Sequence, residues 1–262
     1  MIVAGVDVGS LTVKALLLAA RDTHRVLGQR VVVTGARAAA AAQVAYDGAL
    51  ADAGLDPTDV TYVLATGYGR ARVPFAHDQV TEITCHARGI AHLLPETRTL
   101  LDVGGQDSKA IRLRPGGRVA DFAMNDKCAA GTGRFLEVMA RALEVDVADL
   151  GALGARARDP AHISSTCTVF AESEVVGLVG AGRHPADIVA GLHASIAQRL
   201  VGLLHQVGAT PPVAMSGGVA YNAGVVRALE AQLGAPVSVP PGPQVVGALG
   251  AALIALDKAA CP

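Results

Sequence analysis

Asp7-Val8-Gly9-Ser10-Leu11-Thr12-Val13-Lys14-Ala15-Leu16-Leu17-Leu18 returns without gaps as Asp102-Val103-Gly104-Gly105-Gln106-Asp107-Ser108-Lys109-Ala110-Ile111-Arg112-Leu113. Six of the twelve positions are identical: Asp, Val, Gly, Lys, Ala and the final Leu. Each copy reads as a strand, a tight glycine turn and a second strand, which is a β-hairpin. A third strand follows each copy, over residues 25–33 and 118–122. The first half then predicts an Ala-rich helix over 38–53, a strand over 60–65 and a helix over 82–94. The second predicts helical segments to about 208, a strand over 212–215, a helix over 219–233, a short strand near 237 and a helix over 244–258. Two related α/β halves, 1–97 and 98–262, each opening on a hairpin, predict a cleft between them.

An aspartate at a strand end followed by a glycine turn suits a phosphate. Gly9 and Gly104 allow close backbone approach, and successive N–H groups there can form an anion nest. Ser10 and Thr12 add hydroxyl donors. Asp7 and Asp102 are expected to face one another, holding Mg²⁺ through water and orienting an attacking water. Met215-Ser216-Gly217-Gly218-Val219-Ala220 reads as a strand, a glycine turn and a helix start. Its backbone is suited to an adenosine with phosphates at the helix N-terminus, or is an ordinary β–α turn. Neither a P-loop nor a dinucleotide fingerprint is present.

Two cysteines stand before helical patterns. Cys128 precedes Phe135, Val138, Met139, Ala142 and Leu143 at helical spacing, and Cys167 precedes Val169, Phe170, Val176 and Val179. Ser164, Ser165 and Thr166 are good N-cap residues, so Cys167 is expected in or near a first helical turn, where free N–H groups favour thiolate. Two thiolates cannot complete a four-ligand site; a twofold dimer supplies four. On pattern alone, two isolated cysteines without CxxC spacing read first as buried core thiols. Cys85 fits a core thiol and Cys261 a frayed terminus.

Composition narrows the class. Of 262 residues 51% are hydrophobic and 3% aromatic, so Val, Leu, Ala and Ile must build the core. A net charge of −1 argues against nucleic-acid binding, and the sequence shows neither a targeting signal nor an uninterrupted apolar stretch of membrane-spanning length. A cytoplasmic protein is expected, with its cysteines reduced or metal-bound rather than paired as disulfides.

Hairpin, repeated hairpin and Ser-Gly-Gly turn, in that order, resemble the actin, hexokinase and heat-shock-chaperone superfamily of ATPases. Within it, Asn125-Asp126-Lys127-Cys128-Ala129-Ala130-Gly131-Thr132-Gly133-Arg134-Phe135-Leu136 is similar to the hallmark of one family. So are Ser164-Ser165-Thr166-Cys167-Thr168-Val169-Phe170-Ala171-Glu172-Ser173-Glu174 and Leu101-Asp102-Val103-Gly104-Gly105-Gln106-Asp107. These resemble the ATP-dependent activators of 2-hydroxyacyl-CoA dehydratases, related to ATP-binding subunits of benzoyl-CoA reductase. The resemblance implies a homodimer with one [4Fe-4S] cluster held by Cys128 and Cys167 of each chain. It implies ATP or ADP with Mg²⁺, phosphate contacts from Ser10, Leu11, Thr12, Val13, Lys14, Gly104, Gly105 and Gln106, and adenosine contacts from Gly217 and Gly218. Gln244 falls in its last nucleotide-proximal segment, and Asp7, Asp102 and Gln106 stand as the catalytic set.

The implied partners are a ferredoxin or flavodoxin as electron donor and a CoA-thioester dehydratase or aromatic-ring reductase component as acceptor. ATP chemistry is expected to move the cysteine-bearing helices and change the cluster's potential. Glu172 is readable as a link between nucleotide and cluster or as a solvated carboxylate. Thr66-Gly67-Tyr68-Gly69-Arg70 reads as a turn. The rival enzyme class is a small-molecule kinase of the same fold, and the non-enzymatic rival a zinc-bridged or ATP-dependent scaffold.

Overall fold

The computed structural model describes residues 1–20, 24–164 and 167–260. Cys261, and Ser165 and Thr166 of the expected cap, lie outside the described residues. Five strands form the first sheet: β1 (Ile2–Val8), β2 (Thr12–Ala20), β3 (His24–Val33), β4 (Tyr62–Thr66) and β5 (Asp78–Gln79), in the order β3-β2-β1-β4-β5. β1 and β2 are antiparallel with Asp7 opposite Lys14, while β4 runs parallel to β1 with Thr66 opposite Asp7. β1 is buried on both faces, which is why its sequence is a continuous apolar run around one aspartate. Helix α1 (Ala38–Ala53) buries Ala42, Ala45, Tyr46, Ala49 and Leu50 against Ala4, Val6, Ala15 and Leu17 of the sheet. Helix α2 (Glu82–Leu93) follows β5, capped by Thr81 Oγ1, which accepts from Thr84 N.

The second sheet repeats the plan. Its strands are β6 (Thr99–Val103), β7 (Ser108–Arg114), β8 (Arg118–Asn125), β9 (Val213–Ser216) and β10 (Val237–Ser238), in the order β10-β9-β6-β7-β8. Asp102 lies opposite Lys109 across the β6–β7 hairpin and opposite Ser216 across the parallel β6–β9 pair. Between β8 and β9 the chain forms α3 (Gly133–Ala142), α4 (Leu150–Gly154), α5 (Thr168–Gly180) and α6 (Pro185–Gln206). They share a core containing Phe135, Met139, Leu150, Val175, Ile188 and Leu200.

The helix expected over 219–233 begins later, as α7 (Ala223–Leu233). Gly218–Tyr221 is a single 3-10 turn, and Asn222 then caps α7 by accepting from Gly224 N at 2.9 Å and Val225 N at 3.2 Å. The Ser-Gly-Gly turn therefore does not open directly into an α-helix. The last helix, α8 (Val246–Ala260), follows a 3-10 turn at Pro243–Val245.

By packing, the chain divides into one unit of residues 1–97, 113–120 and 240–262 and another of 98–112 and 121–239. The repeat-based division at 97/98 put α8 with the second half; it packs on the first sheet, against Val3, Leu16, Leu18 and Leu64. Small residues allow this. A Cβ on Gly250 would stand 1.7 Å from Cys85 O, and one on Gly5 2.0 Å from Ala248 O. Two helical stretches among the described residues, Pro185–Gln206 and Pro243–Ala260, are long and apolar enough on average to cross a bilayer, although Asp187 and Arg199 interrupt the first and Asp257 and Lys258 the second. Their windows are 56% and 61% buried, which marks them as core helices.

Gly250→Ala should force α8 off α2 and cost on the order of 1–3 kcal/mol or more. Gly202→Ala in α6, where a Cβ meets nothing within 4 Å, should be neutral or stabilise. Chemical denaturation of the two variants reads the difference.

Candidate functional site

The first hairpin holds a buried ion pair at its mouth. Asp7 is buried, and Lys14 Nζ lies 3.3 Å from its Oδ2, as the cross-strand register dictates. Gly9 N donates to Thr12 O at 3.1 Å to close the turn, while Thr34 braces it through Oγ1 to Gly9 O at 2.8 Å and N to Leu11 O at 2.9 Å. Ser10 and Leu11 are half-exposed at the tip. Val13 is fully buried in β2, opposite Val8 and Val32. Gln244 Nε2 donates to Thr12 Oγ1 at 3.4 Å, which joins the start of the closing segment to this hairpin.

The second hairpin has the same backbone and a different charge. Gly104 N donates to Asp107 O at 2.9 Å, matching Gly9 to Thr12. Lys109 Nζ lies 3.7 Å from Asp102 Oδ2 and 2.8 Å from Asp107 Oδ2, and Ser216 Oγ donates to Asp102 Oδ1 at 2.9 Å. Gly105 is half-exposed and Gln106 exposed at the tip; Gly218 is exposed and Gly217 buried. Removing one partner from such a buried pair costs about 3–5 kcal/mol, so both Asp–Lys pairs hold the fold as well as the turns.

The sequence reading missed one correspondence, that of Gly67 with Gly217. Gly67 has φ +89°, and a Cβ there would stand 2.5 Å from Asp7 Oδ1 and 2.6 Å from Val8 O. Gly217 has φ +86°, and a Cβ there would stand 3.0 Å from Asp102 Oδ1 and 2.2 Å from Val103 O. Thr66-Gly67 ends β4 as Ser216-Gly217 ends β9, each beside its aspartate. The usable signal was a hydroxyl residue and a glycine ending the strand parallel to the hairpin in both halves. Only a left-handed glycine lets the carboxylate come that close.

The cysteine segment is tied to the second turn. Gly133 N donates to Gly104 O at 2.9 Å and Arg134 N to Gly105 O at 2.8 Å, so the first amides of α3 are taken by the glycine turn. Ser108 Oγ donates to Gly131 O at 2.8 Å, and Asn125 Nδ2 to Cys128 O at 2.9 Å. Cys128 is therefore held in a turn ahead of α3, before a helix as its spacing predicts, with the first helical residue at Gly133. Cys167 is the N-cap of α5, as expected. Glu174 of α5 accepts from Ser164 N at 3.1 Å and Ser164 Oγ at 3.0 Å, anchoring the stretch ahead of Cys167, whereas Glu172 is exposed. α3 packs on α5. Cys128 and Cys167 are half-buried free thiols. Among the described residues no three His, Cys, Asp or Glu side chains gather as a metal site.

A family model, described as the BadF/BadG/BcrA/BcrD ATPase family, matches residues 4–255. The chain belongs to that family. The activator of lactoyl-CoA dehydratase from Anaerotignum propionicum is 49% identical over 99% of this chain and 99% of the relative. A benzoyl-CoA reductase subunit from Thauera aromatica is 36% identical over 96% of this chain and 92% of the relative. The crystal structure of the Acidaminococcus fermentans (R)-2-hydroxyglutaryl-CoA dehydratase component A superposes with a TM-score of 0.95 at 44% identity, covering 99% of each chain. The fold is that of the actin- and hexokinase-like ATPases, and this member of the BadF/BadG/BcrA/BcrD family is an ATPase.

Cys85 lies behind the first hairpin, near enough for Thr66 and Asp7 to act on its thiol. It is fully buried on α2, and burial pushes its thiol up to about 12. At neutral pH the thiol form is favoured, which lowers its reactivity. Iodoacetamide on native, metal-free protein at pH 8 should label Cys128 and Cys167 and leave Cys85 unmodified until denaturant is added, as peptide mass spectrometry will read.

Proposed function

We propose that this ATPase is a cytoplasmic, low-potential electron donor that activates a 2-hydroxyacyl-CoA dehydratase, working as a homodimer. The observation that carries the reading is the pair of backbone hydrogen bonds from Gly133 and Arg134 to Gly104 and Gly105. One end of this staple is a glycine turn suited to nucleotide phosphates; the other is the helix start that follows Cys128. A shift of the turn by a few tenths of an ångström is passed to α3 and, through packing, to α5, whose cap is Cys167.

Asp7 and Asp102, each fixed by its lysine, serve Mg²⁺ and the attacking water, with Gln106 at the exposed tip of the second turn. The turn amides of 10–14 and 104–106 and the Lys14 ammonium take the phosphate oxygens. Gly217 and Gly218 offer bare backbone to the adenosine, and Gln244 steadies Thr12. Two half-buried thiols per chain, with no third ligand among the described residues, fit a soft cluster completed by a second copy: Cys128 and Cys167 of each chain hold a [4Fe-4S] group. When bound, that group supplies a one-electron carrier whose potential depends on its surroundings. The Asn125 bond to Cys128 O and the Glu174 anchor of Ser164 keep the two thiols in place. A ferredoxin or flavodoxin loads the electron, and the partner dehydratase receives it. The benzoyl-CoA reductase reading is second, since the relative of that name is 36% identical and the lactoyl-CoA dehydratase activator 49%.

Anaerobically isolated protein should be brown, with a broad absorption near 400 nm and about four irons per dimer. Cys128→Ala and Cys167→Ala should each abolish that band and loosen the dimer on gel filtration. Iron kept at wild-type stoichiometry in Cys167→Ala contradicts the ligand set. Asp102→Asn should retain ADP binding while slowing ATP hydrolysis by about 100-fold or more.

A further inference from the structure

The two hairpins share a register, a glycine turn and an Asp–Lys pair; along the repeat their charge differs at Leu17/Arg112, far from the turn, and at Thr12/Asp107 in the turn itself. Thr12 of the first corresponds to Asp107 of the second; each main-chain carbonyl accepts from the turn glycine, at 3.1 and 2.9 Å. The first hairpin thus sets one carboxylate against one ammonium, and the second sets two carboxylates against one. Lys109 is the shared cation. Its side chain and that of Asp102 are both 5% exposed, whereas Asp107 is 27% exposed. Its ammonium stands nearer Asp107, at 2.8 Å, than Asp102, at 3.7 Å; in the first hairpin the competing position is the neutral Thr12, and Lys14 stands 3.3 Å from Asp7. Asp107 also folds back over its own turn: a Cβ on Gly104 would stand 2.7 Å from Asp107 Oδ1.

We propose that Asp107 is a positioning residue that draws the Lys109 ammonium away from Asp102 and so keeps the Asp102 carboxylate strong enough to orient metal and water. This makes Asp102, rather than Asp7, the carboxylate on which the hydrolytic rate chiefly depends. Attraction between unit charges grows as their separation shrinks, and at these burials it is weakly screened, so the side on which Lys109 sits sets the charge that Asp102 presents. With Asp107 neutral, the ammonium closes on Asp102, as Lys14 does on Asp7, and cancels it. The proposal rests on the reading that Asp102 serves hydrolysis.

The test uses full-length, cluster-loaded protein and steady-state ATP hydrolysis with Mg²⁺ varied. Asp107→Asn, which keeps size and polarity, should lower kcat about tenfold or more, leave the KM for ATP within about threefold, and raise the Mg²⁺ needed for half-maximal rate. Asp107→Thr, the residue of the first hairpin, should behave alike, and Asp107→Glu should recover most of the rate because it restores the second carboxylate. Calorimetric ADP binding without Mg²⁺ should stay near wild type throughout. An unchanged kcat in Asp107→Asn overturns the proposal. So does a raised KM with unchanged kcat, or an Asp107→Glu as impaired as Asp107→Asn. Asp102→Asn run in parallel separates the failures: wild-type hydrolysis there sinks the underlying reading, whereas a slow Asp102→Asn beside a normal Asp107→Asn sinks this proposal alone.

Discussion

A carboxylate at the end of one strand faces an ammonium on the next, across a glycine turn, once in each unit. That cross-strand pair is the constraint from which the rest follows. A buried aspartate must have a cation, the antiparallel register supplies it seven residues along the chain in both copies, and the turn between must be tight. The parallel strand beside each aspartate must then end on a left-handed glycine, because any side chain would strike the carboxylate. Sheet order, turn chemistry and glycine positions are consequences of one repeated interaction.

The same economy underlies the coupling proposed between phosphate and cysteine. Helices leave their first amides unpaired, and α3 satisfies two of them on the carbonyls of Gly104 and Gly105 rather than with a side-chain cap. The turn's outward amides remain suited to an anion while its carbonyls hold the helix. A ligand acts on the conformation that its differential affinity favours, so this shared peptide stretch is where nucleotide and thiol can be coupled.

Much of this was legible in the sequence, for physical reasons. The hairpins announce themselves through the repeat; helix α1 is read residue for residue because its buried positions recur at three and four. The two glycine turns are read because Asp-Val-Gly at a strand end occurs twice with a lysine seven residues after each aspartate. Three features were hidden. α7 starts late because the Asn222 side chain competes for its first amides, which no periodicity reveals. Cys128 precedes a helical pattern but is separated from it by a turn bound to another part of the chain. The Thr66-Gly67 step shares one residue with Ser216-Gly217, too little to stand out until both are seen beside their aspartates. The place of α8 on the first sheet is likewise a matter of small residues meeting backbone rather than of chain order.

The central claim is that nucleotide state and the thiol-bound redox centre are one linked equilibrium. Anaerobic spectroelectrochemical titration of the intact protein in the apo, ADP and ATP states tests it most directly. If the account holds, the midpoint potential shifts with nucleotide, by about 59 mV for each tenfold difference in nucleotide affinity between oxidised and reduced protein. Identical potentials in all three states would contradict it.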